Sequence, residues 1–320
     1  EPGIIVGRRP DPFDAVGVYA PGGTASYPSS VLMGAVPARA AGVQTVVLAT
    51  PPGKGGLPSQ AVLAAAALAG VDRVFAIGGA GAIAALAFGT ETIPRVAKIV
   101  GPGNAFVAEA KLQVSGITSI DSPAGPSEVL VIADSSADAD VIAAELLAQA
   151  EHDTRASVIA LLIAPYSLES VLDAIEHRLQ KEPRRNIAAR ALAERGAVLQ
   201  CDSIEQAIEF ANRYAAEHLL LALQNPEAVL PAICNAGTVC LGASSSVVFG
   251  DYMTGANHVL PTGGMGRAFS GLSALDFVRW TSYQSVTPEA ARRLAVPVSV
   301  FAEYEGLSAH AGAARIWSER

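Results

Sequence analysis

The sequence is short of charge, of basic clusters and of cysteine. Charged residues make up 16% of its 320 positions, and 30 acids against 22 bases leave a formal net charge of −8. With a pI near 5.2 and no cluster of lysine or arginine, it lacks the basic surface that nucleic-acid binding needs. Its three cysteines, Cys201, Cys234 and Cys240, form no C-x-x-C pair. That spacing argues against a disulfide framework or a thiolate metal site and fits three small buried apolar side chains in a reducing, cytoplasmic setting. Long apolar runs are missing as well. Val74 to Thr90 is uncharged but broken by several glycines, and it is too short and small-sided to span a membrane. The chain opens at Glu1 without a signal or transit pattern.

What it has in quantity is apolar residues, 51% of the chain, enough for about two domains with ample cores. In residues 15–120, β-branched runs alternate with Ala-rich stretches. Strands are expected at Ala15–Tyr19, Thr45–Ala49, Arg73–Ile77, Ala97–Val100 and Ile117–Ile120. Helices are expected at Ser30–Ala41, Gln60–Ala69, Gly81–Phe88 and Ala105–Val114. This alternation predicts βαβ crossovers and a parallel sheet, with ligands at the carboxyl ends of its strands. Those ends carry Pro21-Gly22-Gly23, Pro51-Pro52-Gly53, Gly78-Gly79 and Gly101-Pro102-Gly103-Asn104. Such turns allow close approach of a nucleotide, although any βα loop favours Gly and Pro. Two nucleotide motifs are incomplete. Gly79-Ala-Gly-Ala-Ile-Ala84 matches G-x-G-x-x-A, but the next strand ends at Val100 without the acid that holds ribose hydroxyls. Pro51-Pro-Gly-Lys-Gly-Gly56 has a lysine but lacks the Ser or Thr of a P-loop.

Candidate chemistry gathers in the second half. A strand at Val129–Ala133 leads into a helix capped by Ser136 or Asp138 and running towards Asp153. Gln149 and His152 stand three apart on it, which puts both on one face. They read either as two metal ligands or as a polar helix end with His152 favoured by the helix dipole. Strands at Ser157–Ile163 and Leu219–Leu223 follow, with helices at 168–181 and 204–215. His177 falls in the charged helix and reads as a solvated residue. Glu217 and His218, at a helix-to-strand joint, are a plausible acid–base pair or an exposed loop pair. Asp251 and His258 lie in a turn-rich stretch, residues 250–264, of the irregular kind that often carries chemistry. Near the end, Ser308 could cap a last helix. A Gln/His/Asp/His set would carry one formal negative charge against a divalent cation, which suits zinc with room for a substrate ligand.

With these residues assembled, the chain resembles the L-histidinol dehydrogenases over nearly its whole length. The resemblance is carried by Gly17-Val-Tyr-Ala-Pro-Gly-Gly23, Ile83-Ala-Ala-Leu-Ala-Phe-Gly89, Gly101-Pro-Gly-Asn-Ala-Phe106 and Ala124-Gly-Pro-Ser-Glu-Val-Leu-Val131. It continues through Gln149-Ala-Glu-His152, Glu217-His218, Gly250-Asp-Tyr252, Asn257-His-Val-Leu-Pro-Thr262 and Ser308-Ala-His310. It implies an NAD-dependent, two-step oxidation of L-histidinol to L-histidine through histidinaldehyde, with one zinc per site in a homodimer. The implied zinc ligands are Gln149, His152, Asp251 and His310, the last from the partner subunit, and Glu217 and His218 are the implied acid–base residues. Ser127, His258 and the partner's Glu305 would hold substrate together with those ligands and His218, while Tyr19 and Asn104 would contact NAD. The family's usual glutamine in the cofactor loop is Gly81 here, so a cofactor contact at Gly81 is changed.

The expected architecture is α/β, with two incomplete Rossmann-like domains and a small helical arm. Residues 1–126 would form the cofactor side and 127–265 a second Rossmann-like domain carrying most zinc and catalytic residues. Residues 266–320 would be a dimerisation arm. By resemblance, about a hundred further residues precede Glu1 in the family and complete the second domain. A relative acting on another small polar alcohol and an inactive fragment are the alternative readings.

Overall fold

The run that opens the chain, β1 (Ile4–Pro12), joins neither parallel sheet. In the computed structural model, which describes residues 1–22, 26–123 and 125–319, it pairs antiparallel with residues 278–286. Glu1–Pro12 and Val278–Arg320 thus make one compact unit, and Phe13–Phe277 makes another. Residues 4–12, grouped above with 1–126, therefore lie with the C-terminal segment. The motif residues Gly23 and Ala124 fall outside the described residues.

Within Phe13–Phe277 the expected alternation is present. The first sheet takes β2 (Ala15–Tyr19), α1 (Pro28–Ala40), β3 (Thr45–Thr50), α2 (Gln60–Leu68) and β4 (Arg73–Ala76). It continues with α3 (Gly79–Phe88), β5 (Lys98–Val100), α4 (Ala105–Val114) and β6 (Ser119–Ile120). All its pairs are parallel, in the order β4-β3-β2-β5-β6. The order reverses between β2 and β5, so the crevice for a ligand opens beyond Tyr19 and Val100.

The second sheet takes β7 (Glu128–Ala133), α5 (Ala139–Ala150), β8 (Ser157–Ile163), α6 (Leu168–Leu179), α7 (Arg185–Arg195) and β9 (Gly196–Cys201). After these come α8 (Ile204–Tyr214), β10 (His218–Ala222), the short α9 (Pro226–Val229), β11 (Thr238–Leu241) and α10 (Val247–Tyr252). Its order, β11-β10-β7-β8-β9, repeats the plan of the first sheet, and it too is all parallel. Mixed α/β architecture with parallel sheets is thus the observed fold class.

Both faces of each sheet are covered, as parallel sheets require. In β7, Val129, Val131 and Ala133 face α5 to α7, while Leu130 and Ile132 face α8. In the first sheet, Val16 and Val18 pack under α1 and α2, and Tyr19 and Ile99 under α3 and α4. Ile132 is fully enclosed between β7 and its neighbours. Ile132→Val removes one methylene there and is expected to cost about 0.5–1.5 kcal/mol, read as a lower urea midpoint with unchanged slope.

The C-terminal unit adds β12 (Val278–Val286), α11 (Pro288–Tyr304) and α12 (Ser308–Arg315). The last helix is present, but Leu307 rather than Ser308 occupies its N-cap position. No helix of the described residues is long and apolar enough to cross a membrane.

Candidate active site

In a βαβ unit the helix runs back against the strand direction, so its C-terminus returns to the amino edge of the sheet. The candidate residues of the second sheet follow from that geometry. Glu128 opens β7, and Glu217 and His218 sit at the start of β10. Gln149 lies in the last turn of α5, and Asp251 in the last turn of α10. The chemistry of this sheet therefore gathers at its amino edge, whereas Tyr19 and Asn104 lie at the carboxyl edge of the first sheet.

Three local expectations change. Helix α5 is capped by the Asp138 side chain and ends at Ala150, so His152 stands in the turn beyond it. The His152 N–H still donates to the Gln149 carbonyl at 3.2 Å, which keeps the two in adjacent turns. Asp251 belongs to a short helix rather than to an irregular stretch. Cys234 is exposed, against the expected burial, and Cys240 is partly buried; all three thiols are free.

Glu217 and His218 are both buried. The Glu128 N–H donates to Glu217 Oε2 at 2.8 Å, and the Glu128 carbonyl lies 3.2 Å from His218 Nδ1. A carbonyl only accepts, so Nδ1 carries the proton and Nε2 of the neutral ring keeps its lone pair. That nitrogen lies 3.9 Å from Asp251 Oδ1. Likewise His258 Nδ1 lies 3.0 Å from the Asp251 carbonyl. Burial holds the His218 imidazole below its ordinary value, against the pull of Asp251, with His152 and His258 adding to the depression. Burial pushes the Glu217 carboxyl well above the usual carboxylate range, and the Glu128 and Asp251 carboxylates reinforce it. Such an environment moves the carboxyl up towards neutrality and keeps the imidazole an unprotonated base there.

Close packing fixes this pair. Gly237 must lack a side chain, because a Cβ there would meet the Glu217 carbonyl at 2.5 Å. His218, Asp251, Asn257 and His258 line a cleft of about 400 Å³ with Cys240 and Ser244 among its other walls. Burial, aided by Glu145 and Asp251, pushes the Cys240 thiol up to about 11, so it is an inert wall and not a nucleophile.

Several contributors carried no role in the sequence reading. Glu145 is buried one helical turn before Gln149, and its Oε2 accepts from the Val247 N–H at 3.1 Å. It thereby ties α5 to the first turn of α10, the helix that bears Asp251. Its four-residue spacing from Gln149 was the available signal. Glu128 Oε1 accepts from the Gly263 N–H at 3.1 Å, and Thr262 Oγ1 accepts from the Gly125 N–H. The links before β7 and after α10 are latched together by these contacts. Ser127, already expected at the substrate, accepts from the Ser157 N–H through its carbonyl at 3.0 Å.

On the first sheet, Tyr19 is buried with its hydroxyl accepting from the Gly79 N–H at 3.1 Å. Asn104 caps α4 with its Oδ1, which accepts from Phe106 and Val107. Its amide NH₂ makes no hydrogen bond among the described residues. A Cβ at Gly79 or Gly81 would meet no atom within 4 Å, so the opening turn of α3 is an open cradle.

The donor set fits a metal in chemistry. Gln149 is buried, and its amide makes no hydrogen bond among the described residues. Asp251 and His152 would add a carboxylate and an imidazole. Among the described residues no three His, Cys, Asp or Glu side chains converge on a metal position. Gln149 is an amide, and His310 belongs to the other compact unit, on exposed α12, with Glu305 at the exposed C-cap of α11.

A family model for histidinol dehydrogenase matches residues 1–317. Histidinol dehydrogenase of Rhizobium meliloti (strain 1021) is 52% identical over 309 residues, covering 97% of this chain and 71% of that protein. That of Methanosarcina barkeri (strain Fusaro) is 47% identical over 315 residues, covering 98% and 72%. The crystal structure of histidinol dehydrogenase from Elizabethkingia anophelis superposes with a TM-score of 0.96 at 41% identity, covering 100% of this chain and 74% of that one. An acetylating aldehyde dehydrogenase from Geobacillus thermoglucosidasius, at 14% identity and a TM-score of 0.59, shares the fold alone. Family model, sequence identity and superposition agree: the chain belongs to the histidinol dehydrogenase family of oxidoreductases.

Proposed function

We propose that the chain oxidises L-histidinol to L-histidine in two NAD-linked steps through histidinaldehyde, as a cytoplasmic homodimer with one zinc per site. The observation that carries the reading is the Glu217–His218 pair at the mouth of β10, with opposed pKa shifts, beside Asp251 and His258 in one cleft.

Zinc would be held by Gln149, His152, Asp251 and the partner subunit's His310, and would orient the substrate's imidazole and amine. NAD, when bound near Tyr19 and Asn104, accepts the hydride of each oxidation. The residues of the chain supply the rest. His218 Nε2 takes the proton of the alcohol oxygen. Glu217 activates the water that adds to the aldehyde before the second oxidation. Ser127, His258 and the partner subunit's Glu305 hold the substrate in register, alongside the metal ligands. In balance, one alcohol, one water and two NAD become one carboxylate, two NADH and three protons.

The test is direct. Purified chain with L-histidinol, NAD and zinc is expected to yield two NADH per histidinol, to lose this with a chelator and to regain it with zinc. NADH from other small polar alcohols and none from histidinol overturns the substrate reading.

Gly81 gives a further prediction. A Cβ at Gly81 meets nothing within 4 Å and its φ is ordinary, so Gly81→Gln can be made without backbone strain. One restored amide hydrogen bond is expected to lower KM for NAD by about twofold to tenfold, with kcat unchanged in initial-rate assays.

A further inference from the structure

The geometry points to the buried Lys111–Asp121 pair as a positioning device for the cofactor crevice. It fixes the Gly101 peptide against Tyr19 where the strand order of the first sheet reverses. This rests on the cofactor reading proposed above.

Lys111 is 3% exposed and Asp121 5% at their side chains. Along α4, Lys111 shares the inward face with Val107 and Val114, a position where periodicity calls for an apolar residue. Its ammonium is paired with Asp121 Oδ1 and donates to the Gly101 carbonyl at 3.0 Å. Asp121 Oδ2 accepts from the Gly101 N–H at 2.7 Å. The N–H and the carbonyl of Gly101, and so the two peptides that flank it, are thus held by one ion pair.

Gly101 is an unusual point to hold. Its φ of +112° is open to glycine, and a Cβ there would lie 2.0 Å from the Tyr19 carbonyl oxygen. The ends of β2 and β5 therefore touch through backbone alone. Three residues on, Asn104 caps α4, the helix that carries Lys111. A rotation of the Gly101 peptide would shift Asn104 on one side and Tyr19 on the other. Asp121 also begins the link that carries Ser127 towards β7, so the same pair anchors the lead-in to the substrate side.

A buried ion pair adds little net stability over apolar residues of similar volume. What it holds in place is the better account of its presence. Lys98 offers the contrast. It is also buried and donates to the Ile120 carbonyl at 3.0 Å, but it does not bond Gly101.

The experiment is NADH titration, read by nicotinamide fluorescence, on the zinc-loaded chain and on Lys111→Met/Asp121→Asn, Lys98→Met and Asn104→Ala. The double variant keeps an acceptor oxygen for the Gly101 N–H and buries no lone charge of the pair. Its NADH Kd is expected to rise about tenfold to a hundredfold, with Lys98→Met unchanged. If Asn104→Ala weakens NADH binding and the folded double variant does not, the inference falls and the cofactor reading stands. An equal rise in Lys98→Met also overturns it, because the effect is then general damage. If neither Asn104→Ala nor the double variant changes Kd, the cofactor reading falls and takes the inference with it. Should the double variant not fold, Asp121→Asn alone is titrated against the same criteria.

Discussion

His218→Asn is expected to slow oxidation of L-histidinol by about 10²–10⁴, with zinc retained at one per chain. The substitution is chosen for what it preserves. An asparagine NH₂ can occupy the place of Nδ1 and still donate to the Glu128 carbonyl, 3.2 Å away in the native chain. Nothing then stands where Nε2 stood, so the alcohol proton has no acceptor. Oxidation of supplied histidinaldehyde, which starts from a hydrated carbonyl, should fall less. Stopped-flow measurement of NADH from each substrate separates the two steps. Near-full alcohol oxidation in a metal-loaded variant would remove His218 from the role of base.

Glu217→Gln should injure the second step at least as severely. The glutamine carbonyl still accepts the Glu128 N–H that now meets Oε2 at 2.8 Å, so the backbone around β7 and β10 has no reason to move. The lost function is that of a base for water. Histidinaldehyde should then accumulate and be captured by a carbonyl reagent, with NADH per histidinol falling from two towards one. The pH profile carries an independent signature. Burial holds the Glu217 carboxyl above its ordinary range, so on lowering pH the base is lost earlier than for a solvated glutamate, whose pKa is about 4.3. The acid limb of aldehyde oxidation should therefore lie well above that value and vanish in Glu217→Gln. In that variant the remaining limb belongs to His218 and lies below about 6.5, because burial depresses its imidazole. An acid limb unchanged by Glu217→Gln would assign it to another group.

Much of the fold was legible because parallel sheets write themselves as apolar runs. The strand Ala15–Tyr19 and the helix Ala105–Val114 match to the residue, since Asp14 and Pro21 bracket the strand, and Asn104 and Gly116 the helix. The strands β9 and β11 escaped notice because their side chains are only partly buried and their pattern is mixed. β1 escaped for a different reason. Its partner lies some 270 residues away, and no local periodicity reports such a pairing. At the site, Glu217 and His218 stood out as neighbours of complementary chemistry, Gln149 and His152 by their helical spacing, and Asp251 and His258 by their turn-rich stretch; the resemblance supplied their roles and the remaining residues. The supporting residues were silent. Lys111, Asp121 and Glu145 act through tertiary contacts to backbone groups, Gly101 and Val247, whose positions exist only in the folded chain.

The candidate residues of the second sheet share one of its edges, and among the described residues none lies at the other. Asp134, Pro165, Ser203 and Gln224 lie just beyond the carboxyl ends of β7, β8, β9 and β10, opposite the Glu217–His218 pair. The contact there between the Gln224 N–H and Asp134 Oδ2 ties loop to loop and touches no candidate residue. Among the described residues that rim carries none of the candidate side chains, so a change there is expected to leave NADH formation intact. A tether, a reporter dye or a grafted loop could be placed along it while the opposite rim keeps turning over substrate.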